Sequence, residues 1–179
     1  MINSTFTPEL PVELLTVSEA RAGVSELGEV LRACVEDGAG VGFVLPFTQA
    51  AAEAFWASRL DGIERGERHL LVVRMEGRIV GTVMLELAQQ DNGRHRAEVA
   101  KLLMHPTARR KGLARKLLGA LDGLALSLSR TLLVLDTVTG DTAEGLYPQC
   151  GYIRVGVIPA YATSAHGSLD ATTVFYKQL

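Results

Sequence analysis

His105-Pro-Thr-Ala-Arg-Arg-Lys-Gly-Leu-Ala-Arg-Lys-Leu-Leu118 follows a strand-like run, Ala97 to Met104, and opens an amphipathic helix. Five basic residues, Arg109, Arg110, Lys111, Arg115 and Lys116, crowd the start of that helix, and no acid occurs between Glu98 and Asp122. Cations are disfavoured at a helix N-terminus, where the macrodipole is already positive and the first N–H groups lack partners. A sequence selected for stability alone would carry Asp or Glu there. The five cations therefore point to an anionic ligand that completes the site, expected to be a phosphorylated cofactor.

Downstream of this stretch, Leu113, Leu117, Leu121, Leu124 and Leu128 recur on one helical stripe. Thr131-Leu-Leu-Val-Leu135 reads as a short apolar strand of a sheet interior, with Asp136 at its end. Asp141 to Gln149 reads as a short helix, and Tyr152 to Val157 and Thr172 to Lys177 as closing strands. Upstream, His69 to Met75 and Arg78 to Leu87 are β-rich runs joined by a Glu76-Gly77 turn, a hairpin signal. Asp91-Asn-Gly93 then turns the chain into the strand that ends at Met104. Nearer the start, Val12 to Val17 reads as a strand and Ser18 as a helix cap. Val24, Leu27, Leu31 and Val35 follow at helical spacing to Asp37. A glycine-rich loop, Gly38 to Pro46, precedes a second helix capped by Thr48 and running to about Arg65. Strands and helices in this order predict a mixed sheet covered by helices.

The 179 residues suit one domain, 1–179, with a well-buried core. A net charge of −2 gives no global attraction to nucleic acid or to an acidic membrane, so the positive charge at 109–116 is local. Cys34 and Cys150 form neither a disulfide framework nor a zinc pattern. Met1 to Leu10 lacks the pattern of a signal peptide, and no apolar run approaches the ~20 residues of a membrane helix. A cytoplasmic, reduced protein is the expectation.

Arg109-Arg-Lys-Gly112-Leu-Ala114, with Leu102-Leu-Met-His-Pro106 before it and an amphipathic helix after it, resembles the central signature of the GNAT superfamily of N-acetyltransferases. The hairpin Val72-Val-Arg-Met-Glu-Gly-Arg-Ile-Val-Gly81 and the run Ala143-x-x-x-Tyr147-x-x-x-Gly151-Tyr152 extend the resemblance over roughly residues 70–155. Arg96-Ala-Glu-Val-x-Lys-Leu, Leu135-Asp-Thr137 and Val41-Gly-Phe43 are further similar to segments of the tabtoxin-resistance branch, acetyltransferases of a β-lactam. The resemblance implies an α/β (α+β) fold: a mixed, mostly antiparallel twisted sheet of about seven strands flanked by about four helices. It implies acetyl-CoA as co-substrate and no metal. A small-molecule amine would be the acceptor, a toxin or antibiotic among the options, with no nucleic-acid or membrane partner. A homodimer is compatible with it.

By the same resemblance, the amides around Arg109, Arg110, Lys111, Gly112, Leu113, Ala114 and Arg115 would cradle the coenzyme A pyrophosphate. Leu102, Leu103 and Met104 would pair with the pantetheine arm as an added strand. Ala143 and Tyr147 would flank its far end, where Gly140 replaces the family's frequent Asn. The residues support this independently, since Gly112 and Ala114 let a backbone approach an anion closely. No segment fits a Walker A loop, and Gly38-Ala-Gly-Val-Gly-Phe43 lacks the preceding strand that a Rossmann fingerprint requires.

Acetyl transfer to an amine needs a base, because an alkylammonium of pKa ~10 is not nucleophilic. It also needs a donor to the carbonyl oxygen, available from a backbone N–H of the Leu102–Met104 strand, and a proton for the departing thiolate. Glu98 and Asp136 are the candidate bases and Tyr147 the candidate acid. Each has a plain structural alternative: Glu98 paired with Lys101 or Arg96, Asp136 capping a turn, Tyr147 packed as an aromatic. Phe43 and Tyr161 are candidate walls of the acceptor pocket, alongside Val41; His95 and His105 read as surface residues. The same donor loop would also serve a non-catalytic acyl-CoA-binding sensor or regulatory module, and only the acid/base set favours the enzyme.

Overall fold

Glu76 and Gly77 both adopt positive φ, 51° and 80°. That is the geometry of a type I′ turn, and it matches the right-handed twist of paired strands. Strand β2 (Arg68–Met75) is thereby folded antiparallel onto β3 (Arg78–Leu87) as the sequence predicts. The computed structural model describes residues 10–179; the reading of Met1 to Leu10 falls almost wholly outside them. Around this hairpin stand β1 (Val12–Leu14), β4 (Arg96–Met104), β5 (Leu132–Val138), β6 (Ile153–Thr163) and β7 (Leu169–Gln178). They form a seven-stranded sheet in the order β1-β2-β3-β4-β5-β7-β6, antiparallel except between β4 and β5. This is the expected mixed, mostly antiparallel sheet.

Side chains alternate across the strands and feed two cores. Val83, Leu85, Val99, Leu133 and Leu135 face helix α5 (Leu113–Ser127), meeting its Leu113, Leu117, Leu118 and Leu121. Leu70, Val72 and Met84 face the opposite layer, built by α2 (Val24–Glu36) and α3 (Gln49–Ala57) with the short α1 (Val17–Ala22) and α4 (Leu60–Glu64). The Trp56 indole donates to the Leu27 carbonyl at 2.8 Å and locks α3 onto α2.

Several expected boundaries move. β1 ends at Leu14, so Thr16 rather than Ser18 caps α1, in a capping box with Glu19. The helix expected over 48–65 is two, α3 and α4. Thr48 caps the first as expected, and the Ser58 hydroxyl turns back to the Phe55 carbonyl at 2.6 Å where it ends. β5 runs on to Val138, which puts Asp136 inside the strand. The helix expected from Asp141 shrinks to α6 (Leu146–Gln149), preceded by a turn. The last two strands are a long hairpin. β6 is the sheet edge and is exposed along nearly its whole length, so no inside–outside alternation marks its far end, and an edge tolerates Pro159.

Candidate active site

β4 and β5 pair over three residues only, Arg96–Glu98 against Leu132–Val134. Both strands continue, but β5 gives its other edge wholly to β7, and β4 bends away. The bend has a local cause. The β3–β4 register slips between Thr82 and Met84, and Lys101 adopts φ 51°. The Thr82 hydroxyl holds this bulge by donating to the Lys101 carbonyl at 2.8 Å. Beyond Glu98, β4 therefore presents a backbone edge to a gap instead of to a strand.

The gap opens into a cleft of about 240 Å³. Glu98, Leu102, Asp136, Tyr147 and Tyr161 all line it, so five of the sequence-predicted site residues meet there. Registration explains why. Glu98 pairs with Val134, so Asp136, two residues on, projects from the same face one strand over. Asp136 accepts from the Thr172 hydroxyl at 2.8 Å; it caps no turn. Tyr147 comes from the other layer, where its ring packs on Tyr152 and Phe175, both 5.6 Å between centroids. It is 6% exposed, and its hydroxyl has no hydrogen-bond partner among the described residues.

Electrostatics separates the titratable groups. The walls of the cleft strip water from the Glu98 carboxyl, and the charges of Glu86 and Asp136 add repulsion. Together they raise its pKa above the usual carboxylate range. Burial, reinforced by Asp136, raises Tyr147 further and keeps the phenol protonated. At neutral pH the cleft therefore sets a carboxyl of raised pKa beside a phenol that stays protonated. The Lys101 ammonium does not pair with Glu98. It donates to the Val41 carbonyl at 3.1 Å beneath the Phe55 ring, and burial lowers its pKa.

Behind the gap lies the start of α5. Gly112 caps it at φ 75° with no side-chain hydrogen bond, Arg110 is also left-handed at φ 61°, and the first turn holds no acid. The basic side chains here divide their work. Arg109 pairs with Asp37 and donates to the Met104 carbonyl, bracing the end of β4 against α2. Arg115 donates to Gln149 at 2.7 Å, and the Lys111 ammonium lies 3.9 Å from the Met75 sulfur. Leu103 is buried, and Ala143 lies in the turn before α6.

Phe43 does not reach the cleft. It stacks on Phe47 at 4.5 Å and Phe55 at 5.2 Å, while Gly40, Val41 and Gly42 form the wall in front of it. A methyl on Gly40 would stand 2.2 Å from Val138 Cγ2, so this wall closes directly on the end of β5. The Leu45 N–H donates to the Ala165 carbonyl at 2.9 Å, tying the loop to the β6–β7 turn. Gly40 and Asp170 fall in the two segments, 39–55 and 158–170, that the resemblance assigns to the acceptor pocket, whereas Lys101 and Thr172 were not foreseen as cleft residues. Their roles arise from segments far apart in the chain, and no local pattern announces them.

The chain belongs to the acetyltransferase (GNAT) family, whose model matches residues 31–152. Solved structures agree on the fold. A ribosomal-protein-alanine N-acetyltransferase from Brucella melitensis is 20% identical with a TM-score of 0.76, covering 95% of this chain and 100% of its own. The yncA protein of Salmonella typhimurium, solved with its cofactor acetyl-CoA, is 19% identical at 0.76, covering 96% and 94%. A phosphinothricin acetyltransferase from Sinorhizobium meliloti, solved with acetyl-CoA, is 20% identical at 0.77, covering 95% and 88%.

Proposed function

We propose that the protein is an acetyl-CoA-dependent N-acetyltransferase acting on a primary amine of a small molecule. The observation that carries this reading is the β4–β5 gap. It is an unpaired strand edge with a carboxylate of raised pKa on one side and a buried, protonated tyrosine on the other.

The residues present fit coenzyme A. The free edge of β4 from Val99 to Met104 offers amide groups to a ligand that itself carries amides, such as a pantetheine arm. The uncapped N–H groups at the start of α5, reached through the left-handed Arg110 and Gly112, suit a pyrophosphate. When bound, acetyl-CoA supplies the acetyl group as a thioester. A backbone N–H of the Leu102–Met104 edge is suited to polarise the carbonyl oxygen. Glu98, helped by Asp136, attracts the cationic acceptor and takes its proton, directly or through water. Tyr147 Oη holds a proton for the sulfur. The donor enters from the α5 side and the acceptor from the α2–α3 side, so each substrate has its own door. The finer likeness to tabtoxin-resistance acetyltransferases rests on three short segments and supports a toxin or antibiotic as acceptor.

Incubation with acetyl-CoA and a panel of amines, following free thiol, tests this reading. Thiol release that depends on an amine is expected. Stabilisation by acetyl-CoA with no thiol release from any amine would favour the non-catalytic binding module instead.

A further inference from the structure

We infer that the acceptor carries a second positive charge beyond its reacting amine, and that Asp170 receives it; this rests on the transferase reading above. Three carboxylates line the cleft, Glu98, Asp136 and Asp170, against one ammonium, Lys101. The mechanism uses the first two. Asp170 is left over, and it is placed to act on the acceptor. It projects from the same face of β7 as Thr172, the residue that anchors Asp136. Two residues of strand separate Asp170 from Thr172, about 7 Å.

The neighbouring acids show what is unusual about it. Glu86, across β3 from Glu98, is neutralised by Arg68 at 3.5 Å. Asp170 has no ion pair among the described residues, only a hydrogen bond from the Ser168 hydroxyl at 3.4 Å. Lys101 cannot serve it, because its ammonium is turned into the wall toward Val41 and Phe55. Tyr147, a residue more than nine-tenths buried whose hydroxyl has no partner among the described residues, marks the same cleft as built for a ligand. Tyr161, 54% exposed at the rim, offers a ring face to an alkyl chain or a cation. An acceptor with an acid group beside its amine would meet like charges and, among the described residues that line the cleft, find no cation but the committed Lys101.

Three six-carbon amines separate the possibilities: hexane-1,6-diamine, hexylamine and 6-aminohexanoate. Amine-dependent thiol release should give the diamine a kcat/KM at least about tenfold above hexylamine, with 6-aminohexanoate lowest. Asp170→Asn should bring the diamine-to-hexylamine ratio close to one, while Asp170→Glu should keep it well above one. Calorimetry of the diamine on the coenzyme A-loaded protein should follow the same order. Equal or better turnover of 6-aminohexanoate, or a ratio that survives Asp170→Asn, would overturn the inference. Selective diamine binding without thiol release from any amine would overturn the transferase reading and leave the recognition standing. Thiol release from all three amines alike would do the reverse.

Discussion

The two halves of the proposed site are built on opposite plans. The half proposed for the donor is almost continuous in sequence: β4, a short connection and the start of α5, residues 99 to 115. The half proposed for the acceptor is gathered from the loop at 39–47, the end of β5 and the β6–β7 hairpin, which meet only in the folded chain. A continuous site has to satisfy local backbone chemistry, so it leaves marks in the sequence: a left-handed glycine, missing acids, a strand followed by a helix. An assembled site has only to bring side chains together. It leaves few marks and is free to vary its ligand.

The largest effect should come at the seam between the halves. Glu98→Gln combined with Asp136→Asn should lower kcat by about 10² to 10⁴, the span of general acid–base catalysis, while acetyl-CoA still stabilises the protein. The pH profile sharpens this. Because Glu98 is raised, the acid limb of kcat/KM should lie above the ordinary glutamate value of ~4.3. Asp136→Asn removes one source of that rise and should move the limb to lower pH. The stability sign is opposite to that of a paired carboxylate: the folded state holds the Glu98 proton more tightly than the unfolded chain. Charging Glu98 therefore costs stability as pH rises through its folded pKa, and Glu98→Gln should be the more heat-stable protein at neutral pH.

Tyr147→Phe should lower kcat about 10²-fold with the KM for acetyl-CoA nearly unchanged, since the ring and its packing on Phe175 remain. Equal activity would return Tyr147 to a packing role. On the donor side, Gly112→Ala puts a Cβ on a backbone at φ 75°, a strain of ~1 kcal/mol. It should raise the KM for acetyl-CoA about fivefold and leave that for the amine alone. Gly40→Ala tests the other half. Its methyl would press on Val138 and lift the 40–42 wall, raising the amine KM a few-fold and sparing acetyl-CoA. If both glycine variants changed both constants together, the two halves would not be separate sites.

The same contrast explains what the sequence revealed. The Glu76-Gly77 hairpin, the β4–α5 connection and the leucine stripe of α5 were legible because each is a local pattern with one structural solution. Glu98, Asp136 and Tyr147 were legible as candidates beside a recognised motif, and the fold brings all three to one cleft. The convergence of Glu98 and Asp136 on one face followed only from the β4–β5 register. Arg109 read as a cofactor cation, yet its guanidinium is committed to Asp37 at the C-terminal cap of α2, 72 positions away, a pairing no local window contains. Phe43 read as a pocket wall because it lies within the glycine-rich loop, and in the fold it joins Phe47 and Phe55 instead. The exposed edge strand β6 hid its own length, because without a buried face a strand has no period to read.

Hydrogen exchange with and without coenzyme A tests the central claim, that the open edge of β4 is the donor track. The account predicts new protection over residues 99–104 and 110–116 and none over 39–47. Saturating binding that leaves 99–104 unprotected would contradict it.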